Sequence, residues 1–545
     1  MKLSALAAEV PHHRAGPAGD PEILAVTHDS RAAAPGTLFA ALPGLKADGR
    51  RFIADAVLRG AVAALGLAPA PAAASVPYLE VENPRRSAGL MAALLAGRPS
   101  EKLVMAGVTG TSGKTTTTFL LEGLLAGRHP KRGIFGTIVY RGAGGDATAI
   151  ASPHTTPEAT ELQPMLQALA AGGGTAAIME CSSHALVLER LAGCAFDVGV
   201  FLNLSREHLD FHRDMDDYFE AKVRLFGLLK PGGKAVVNLG DAYGRRLASR
   251  LVADRTVGFL LEDEDEEKKE EKKEKDFLEG EEGKDLSSLV VGRAMLGIAG
   301  TRLDIGVLSS SSSSPFKENN TLTSAPLKRE GTNEPATLFS INSPLLGRPN
   351  AENLLAAAAA GIALGLSPAE ISAGLGAVAS VPGRLEAIPN ELDLTVLVDY
   401  AHKPAALEGV LKTVRTIAAA RGGRVIAVFG CGGDRDKGKR PEMGRIAALL
   451  ADEVVVTSDN PRSEDPEAIL RDVRAGVEAT GKTARYVVDR REALAAAFRL
   501  ARAGDVVLVA GKGHETVQVV RGGELPFDDR LVARALLEEC AGAAR

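Results

Sequence analysis

The run Ala106-Gly107-Val108-Thr109-Gly110-Thr111-Ser112-Gly113-Lys114-Thr115-Thr116 constrains the chain most. The apolar Leu103-Val104-Met105 precedes it and Thr117-Thr118-Phe119-Leu120-Leu121 follows. This is the pattern of a buried strand, a glycine-rich turn and the opening of a helix. Such a turn aims backbone N–H groups and the positive helix end at an anion. Lys114 would then reach the terminal phosphates of a nucleotide, and the Thr115 hydroxyl would face Mg²⁺. Glycine is required where a Cβ would block close backbone approach or where φ is positive. The full pattern G-x-x-x-x-G-K-[ST] wants glycine where this chain has Val108, and Gly107 lies one place early. The match is therefore to Gly110 through Thr116. A tight turn with no ligand is the plain alternative, although Gly-Lys-Thr directly after a strand is an uncommon turn.

Around this turn strands alternate with helices at the spacing of a parallel sheet. Strands are expected at Leu103–Gly107, Ala176–Glu180, Val198–Leu202 and Ala235–Asn238, with polar residues just beyond their C-terminal ends. Open α/β sheets bind ligands there. A second series is expected from about residue 380, with strands Thr395–Val398, Val425–Phe429, Glu453–Thr457, Arg485–Val488 and Val506–Val509 and helices Pro404–Ala418 and Pro466–Val477. It reads as a Rossmann-like unit, but no G-x-G-x-x-G opens a helix, so a dinucleotide is not implied. Asn350 to Gly365 reads as an Ala/Leu helix. Residues up to about 100 read as a small α/β unit, with strands Ile23–Val26 and Thr37–Ala41, a helix Phe52–Arg59 and polar loops around Ser30 and Asp48.

Length fits these segments. A chain of 545 residues suggests roughly two to four domains. Three are expected: 1–100, 101–379 and 380–545. The second is broken by low-complexity stretches at about 262–285, where charged residues run unbroken from Glu262 to Lys275, and at about 309–337, which opens with the serines 309–314. Both are poor in branched and aromatic residues and are expected to be disordered surface insertions. Leu289 to Val307, between them, reads as ordinary folded chain. The fold class is thus α/β: a small N-terminal domain, a central parallel-sheet ATPase domain and a C-terminal Rossmann-like domain.

Net charge of −5 gives no reason to expect nucleic acid or an anionic membrane as partner. The cysteines, Cys181, Cys194, Cys431 and Cys540, lack paired spacing. That argues against a disulfide framework or zinc site and fits a reducing compartment. The longest apolar run, Leu354 to Leu366, is too short to span a bilayer, and the N-terminal apolar stretch is too short for a signal peptide. The cytoplasm and a monomer are expected.

Several residues suit chemistry by type and place. Glu180 ends a strand at the edge shared with the phosphate turn and is well placed to hold Mg²⁺; a buried structural carboxylate is the alternative. His208 follows another strand of that edge. Lys222, in Tyr218-Phe219-Glu220-Ala221-Lys222-Val223, reads by composition as a helix-surface lysine. In the C-terminal unit, Cys431-Gly432-Gly433-Asp434-Arg435-Asp436-Lys437-Gly438-Lys439-Arg440, Ser458-Asp459-Asn460-Pro461-Arg462 and Gly511-Lys512-Gly513-His514-Glu515 each follow a strand. Together they suggest a pocket with both charge signs. An arginine fork suits a carboxylate, and Asp and Glu suit an ammonium, so a zwitterionic amino acid would satisfy the pocket. Solvated loops with no ligand are the alternative for any one of them.

At this point the chain resembles the Mur ligase family, in the branch that adds the third residue to UDP-N-acetylmuramoyl-L-alanyl-D-glutamate. The resemblance runs nearly the full length outside the insertions. It rests on Asp29-Ser30-Arg31, Gly110 to Thr116, Thr155-Thr156-Pro157, Ser182-Ser183-His184-Ala185-Leu186, His208-Leu209-Asp210, Gly383-Arg384-Leu385-Glu386, Asp399-Tyr400-Ala401-His402 and the C-terminal loops. The resemblance implies that Gly110, Thr111, Ser112, Gly113, Lys114, Thr115 and Thr116 bind ATP, with Asn353, Arg384 and Asp399 contacting it across a domain gap whose closure assembles the site. It implies that Thr115 and Glu180 hold one Mg²⁺. A second would be held by His208 and by Lys222, carbamylated by CO₂. Ser30, Thr155, Thr156, Ser182 and Arg190 would hold the UDP-sugar dipeptide. Arg435, Asp459, Asn460, Pro461, Arg462, Gly511 and Glu515 would hold meso-diaminopimelate. Family members selecting that diamine read Asp-Asn-Pro-Arg where this chain has Asp459-Asn460-Pro461-Arg462. Arg462 can bind the second carboxylate, which lysine lacks; losing such a pair costs about 2–5 kcal/mol. Activity would run through an acyl phosphate of the dipeptide's glutamate, attacked by the diamine.

Departures from the family pattern are Pro349 before Asn350, Lys403 after His402 and the pair Leu45-Lys46. The rival readings are the same ligase using L-lysine, a folate-type glutamate ligase, and a non-catalytic scaffold with the charged insertion as binding arm. The lysine reading disagrees with Arg462. Folate ligases begin at the phosphate turn and lack the N-terminal domain. The intact Lys114, Glu180, His208 and Lys222 count against a scaffold.

Overall fold

The computed structural model describes residues 1–44, 48–72, 74–145, 149–152, 154–262, 286, 288–297, 300–309 and 339–544. The departures Leu45-Lys46, and the low-complexity stretches apart from their terminal residues Glu262 and Ser309, lie outside the described residues. Two compact units form: 1–293 with 304–340 and 353–375, and 376–545 with 294–303 and 341–352.

The first unit opens with a five-stranded sheet in the order His13–Ala15, Tyr78–Glu80, Ala61–Gly66, Thr37–Ala41, Ala25–Thr27. It is parallel except for His13–Ala15. Thr37–Ala41 is buried at every position, as expected of a strand covered on both faces. The expected helix is Ile53–Leu58.

The central sheet has eleven strands. Val104–Thr109 lies at its heart, parallel to Ala176–Glu180 on one side and Phe196–Phe201 on the other. Arg132–Phe135 extends the first side. Leu229–Asn238, Thr256–Leu261 and Ser288–Gly297 extend the second. Antiparallel Val139–Arg141 and Ile150–Ala151 finish one edge. Beyond Ser288–Gly297 the order continues through Gly300–Ser309 to Phe339–Ser343. Within Leu289 to Val307, expected to be folded, the described residues thus form two neighbouring strands. Arg132–Phe135, Val139–Arg141 and Ile150–Ala151 were not anticipated: they are two to four residues long, too short for any period to register. The Ala/Leu helix spans Arg348–Ala363. Pro349 sits in its first turn, where the missing N–H costs nothing.

The second unit carries a six-stranded sheet in the order Glu386–Ala387, Thr395–Asp399, Val506–Ala510, Val425–Cys431, Glu453–Ser458, Arg485–Tyr486, parallel except at Glu386–Ala387. Apolar clusters cover both of its faces. Helices Pro404–Arg421, Lys439–Leu450, Pro466–Glu478 and Arg490–Leu500 make the crossovers. Pro404 starts the first of these and Gly422, at φ +67°, ends it, the usual asymmetry of helix ends. The carboxyl ends of the three adjacent strands Val506–Ala510, Val425–Cys431 and Glu453–Ser458 carry the three polar loops.

Candidate active site

The phosphate turn forms as expected: strand Val104–Thr109, the turn Gly110–Gly113, helix Lys114–Leu125. Gly113 has φ +84°, and a Cβ there would stand 2.4 Å from Asn353 Oδ1. Asn353 thus packs under the turn, accepting from Thr117 Oγ1 at 3.3 Å. The turn is held from the next strand end. Asn203 Oδ1 accepts from the amides of Thr111 (3.1 Å) and Ser112 (3.0 Å). Lys114 Nζ donates to its own turn, at the carbonyls of Gly110 (2.8 Å) and Thr111 (3.0 Å). Thr115 and Thr116 are buried in the first helical turn.

Glu180 is 1% exposed. Its Oε1 accepts from the Thr137 amide at 2.7 Å, and the Thr137 hydroxyl lies 3.2 Å from Oε2. A Cβ at Gly136 would come within 2.5 Å of Oε1, so the strand after Phe135 must end in a residue without one. Lys222 corrects the composition-based reading: it is 1% exposed, not a surface lysine. Its Nζ donates to the Gly110 carbonyl at 2.8 Å and lies 4.5 Å from the centre of the Tyr218 ring. Helix Met215–Val223 places Tyr218 and Lys222 four residues apart on one face. Burial first, then the Lys114 charge, pushes the Lys222 amine well below its ordinary value. His208 has φ +56°, and its ring stands edge-on to His184 at 4.8 Å and to Tyr218 at 5.9 Å.

Among the described residues no three His, Cys, Asp or Glu side chains cluster as a metal cage. The Glu180 carboxylate and the Thr115 hydroxyl are oxygen donors, the ligand type that Mg²⁺ takes beside substrate phosphates and water. The Lys222 chemistry fits a carbamate as well, because a lysine driven toward its neutral amine can add CO₂.

Beside Glu180 lie the residues expected to hold the dipeptide. Thr156 Oγ1 donates to the Glu180 carbonyl at 2.8 Å and is 3.5 Å from Ser182 Oγ. Ser182 caps helix Ser183–Val187, and Thr137 Oγ1 reaches Thr155 Oγ1 at 3.3 Å. Arg190 donates to the Thr156 carbonyl at 3.0 Å, and its Nε lies 3.0 Å from Glu158 without hydrogen-bond alignment. Arg85 also pairs with Glu158, at 3.1 Å, and His28 meets Thr160 at 2.8 Å. These contacts tie the N-terminal sheet to the segment following Thr155. Ser30 is buried and opens a short 3₁₀ helix capped by Asp29.

In the second unit Asp399 accepts from the Leu385 and Ala401 amides, each at 2.8 Å, and Arg384 stacks over the Tyr400 ring at 4.9 Å. Burial raises the Asp399 carboxyl.

The three polar loops interlock. Arg462, at φ +52°, sends Nη1 to the Gly433 carbonyl at 2.8 Å. Its Nε and Nη2 form the other edge of the fork, the edge a carboxylate takes two-pronged. Arg435 is exposed on the neighbouring loop. Asp459 is 7% exposed, with a buried Oδ1 that meets no partner among the described residues. Burial raises its carboxyl. Pro461 is buried; Gly511, at φ +117°, keeps the space before Asp459 open. Glu515 Oε2 accepts from Asn460 Nδ2 at 2.8 Å and from Lys512 Nζ at 2.9 Å.

Sequence reasoning missed Asn203, Thr137, Tyr218 and Lys512. Tyr218 and Lys512 lie inside segments already singled out and Asn203 just past the expected strand Val198–Leu202, while Thr137 falls in none; their roles are contacts to partners distant in sequence or turned inward.

Three family models match the chain: "Mur ligase family, catalytic domain" at residues 22–95, "Mur ligase middle domain" at 108–296, and "Mur ligase, glutamate ligase domain" at 383–513. A UDP-N-acetylmuramoyl-L-alanyl-D-glutamate--2,6-diaminopimelate ligase of Geobacter metallireducens is 41% identical over 100% of this chain and 98% of its own. The ligase of the same name from Streptomyces coelicolor is 42% identical over 97% and 95%. A solved structure of a protein so named superposes with TM-score 0.63 at 31% identity, covering 95% of each chain. With three matched segments in order and relatives aligned end to end, the chain belongs to the Mur ligase family.

Proposed function

We propose that the chain is an ATP-dependent ligase joining meso-diaminopimelate to UDP-N-acetylmuramoyl-L-alanyl-D-glutamate, a step of peptidoglycan precursor synthesis, working in the cytoplasm as a monomer. Its domains are taken as 1–100 for the UDP-sugar, 101–379 for ATP and 380–545 for the amino acid. The observation that carries the reading is the opposite charge on the loops at three adjacent strand ends: the pinned Arg462 fork, and on the same loop the buried Asp459, whose Oδ1 meets no partner among the described residues. A zwitterion with a further carboxylate satisfies both. The names of relatives at about 40% identity agree. Among the described residues no helix is long and apolar enough to cross a membrane.

In this reading the phosphate turn and Lys114 hold ATP. The D-glutamate γ-carboxylate attacks the γ-phosphate and ADP leaves. The amine of the diamine then attacks the acyl phosphate, forming the amide and releasing phosphate. Lys114 would stabilise the charge that spreads over the transferring group. Thr115 and Glu180, and His208 with carbamylated Lys222, would hold Mg²⁺, which would neutralise charge on the phosphate oxygens. Asp459 and Glu515 orient the ammonium, and Arg435 and Arg462 the carboxylates.

The test is phosphate release with ATP, Mg²⁺ and the UDP-muramyl dipeptide, comparing meso-diaminopimelate with L-lysine. Strong preference for the diamine is expected; equal turnover would remove the specificity. Arg462→Ala should weaken diamine use by about 2–5 kcal/mol and leave ATP use nearly unchanged. A similar loss for both would contradict the assignment.

A further inference from the structure

Lys512 has no assigned task in the reading above, yet it is a fully buried lysine among the amino-acid loops. Its ammonium donates to Asn460 Oδ1 at 3.1 Å, Glu515 Oε2 at 2.9 Å and the Val517 carbonyl at 2.6 Å. A lysine ammonium has three donors, so all are spent on protein and none is left for a substrate. The partners are themselves constrained. Asn460 Oδ1 also accepts from the Val519 amide at 2.9 Å, and Asn460 Nδ2 donates to Glu515 Oε2 at 2.8 Å. The amide of Asn460 therefore cannot flip without losing a bond to Lys512 and one to Val519. Glu515 Oε2 is filled by two donors, which leaves Oε1 as the oxygen able to accept from a ligand. One N–H of Asn460 is spent on Glu515, which leaves the other to donate elsewhere.

We propose that Lys512 is a positioning residue for amino-acid recognition, fixing which N–H of Asn460 and which oxygen of Glu515 face the incoming amino acid. The inference rests on the proposed function, in which Asn460 and Glu515 hold the diamine. It adds that their donor and acceptor polarity is set from beneath by one buried cation. A buried charge is retained where it is paired and hydrogen-bonded, and here the pairing spans the Asp459–Arg462 loop, the Gly511–Glu515 loop and strand Val517–Val520.

The experiment is steady-state kinetics of the full-length enzyme with meso-diaminopimelate, ATP and UDP-muramyl dipeptide each varied in turn. Lys512→Met keeps the stem and removes the donors. It is expected to raise the diamine KM about tenfold or more, the loss of one to two hydrogen bonds, with the KM values for ATP and dipeptide nearly unchanged. KM does not depend on the fraction of enzyme that is folded, so partial misfolding does not mimic this split. Lys512→Gln, which keeps an uncharged donor, is expected to fall between wild type and Lys512→Met. Because Lys512 acts through Glu515, adding Lys512→Met to Glu515→Gln should raise the diamine KM less than it does in wild type. An unchanged diamine KM in both Lys512 variants, a parallel rise in all three KM values, or fully multiplicative effects in the double variant would overturn the inference alone. Wild-type enzyme that turns over equally with L-lysine or with no amine would overturn the proposed specificity and this inference with it.

Discussion

Lys114 and Lys222 send their ammonium groups to one atom, the Gly110 carbonyl oxygen, each at 2.8 Å. Two like charges on one acceptor repel, and Lys222 is also stripped of water. Both effects favour its neutral amine, the form that adds CO₂. Lys222→Ala is therefore expected to abolish phosphate release, with partial recovery when short carboxylic acids supply the missing oxygen ligand. Full activity in the variant would refute the carbamate role; loss with no recovery would indicate packing alone.

Asn203 makes a second prediction. Its side-chain oxygen accepts from the Thr111 and Ser112 amides, so the shape of the turn is fixed before any anion arrives. Each neutral bond is worth about 0.5–1.5 kcal/mol. Asn203→Ala should raise the ATP KM by roughly five- to hundredfold and leave the diamine KM nearly unchanged. Equal rises for both would show general damage rather than a loosened turn.

Asn203 also marks where the sequence stops being legible. The phosphate turn, the strands Thr37–Ala41 and Ala176–Glu180 and the alternation of the second unit were readable, because local period and glycine placement encode them. Asn203 follows the expected strand Val198–Leu202, with nothing in its neighbours to give it a task. Its bonds cross about ninety positions of chain and leave no local signature. Lys222 was misread by composition for a related reason. Helix Met215–Val223 is short and rich in charge, and a buried cation there depends on Tyr218 and Gly110 rather than on any pattern within the helix. Of the expected dipeptide set, Thr156, Ser182 and Arg190 meet one another around Glu180. The charges of the C-terminal loops were visible, but not that Lys512 faces inward while Arg435 faces out.

Lys403 stands at the N-cap of helix Pro404–Arg421, in extended backbone and with no side-chain bond to the helix amides. A threonine there can accept from the first turn. It would also remove a positive charge that disfavours the charged form of Lys439 nearby. Lys403→Thr is expected to raise stability by about 0.5–2 kcal/mol, read as a higher urea midpoint with an unchanged slope. An unchanged or lower midpoint would show that Lys403 contributes as much by other contacts as the cap would.

The acid side of the stability curve tests the buried arginine behind the Arg462 loop. Arg440 is fully buried and donates to both oxygens of Glu464, at 2.9 and 3.1 Å, and to Asp472 at 2.8 Å. Glu464 also accepts from the Asp434 amide at 2.6 Å. The Arg440 guanidinium, chiefly, lowers the Glu464 carboxyl from 4.5 to about 2. A carboxyl with a lower folded value takes up its proton first in the unfolded chain, so stability falls as pH falls. Its contribution is full above pH 4.5 and fades toward pH 2. Glu464→Gln removes the titration while keeping the shape. The gap in urea midpoint between wild type and variant should therefore be widest above pH 4.5 and narrow steadily toward pH 2. A gap that stays constant across this window would mean that the carboxylate's charge does not hold the Arg440 bracket together.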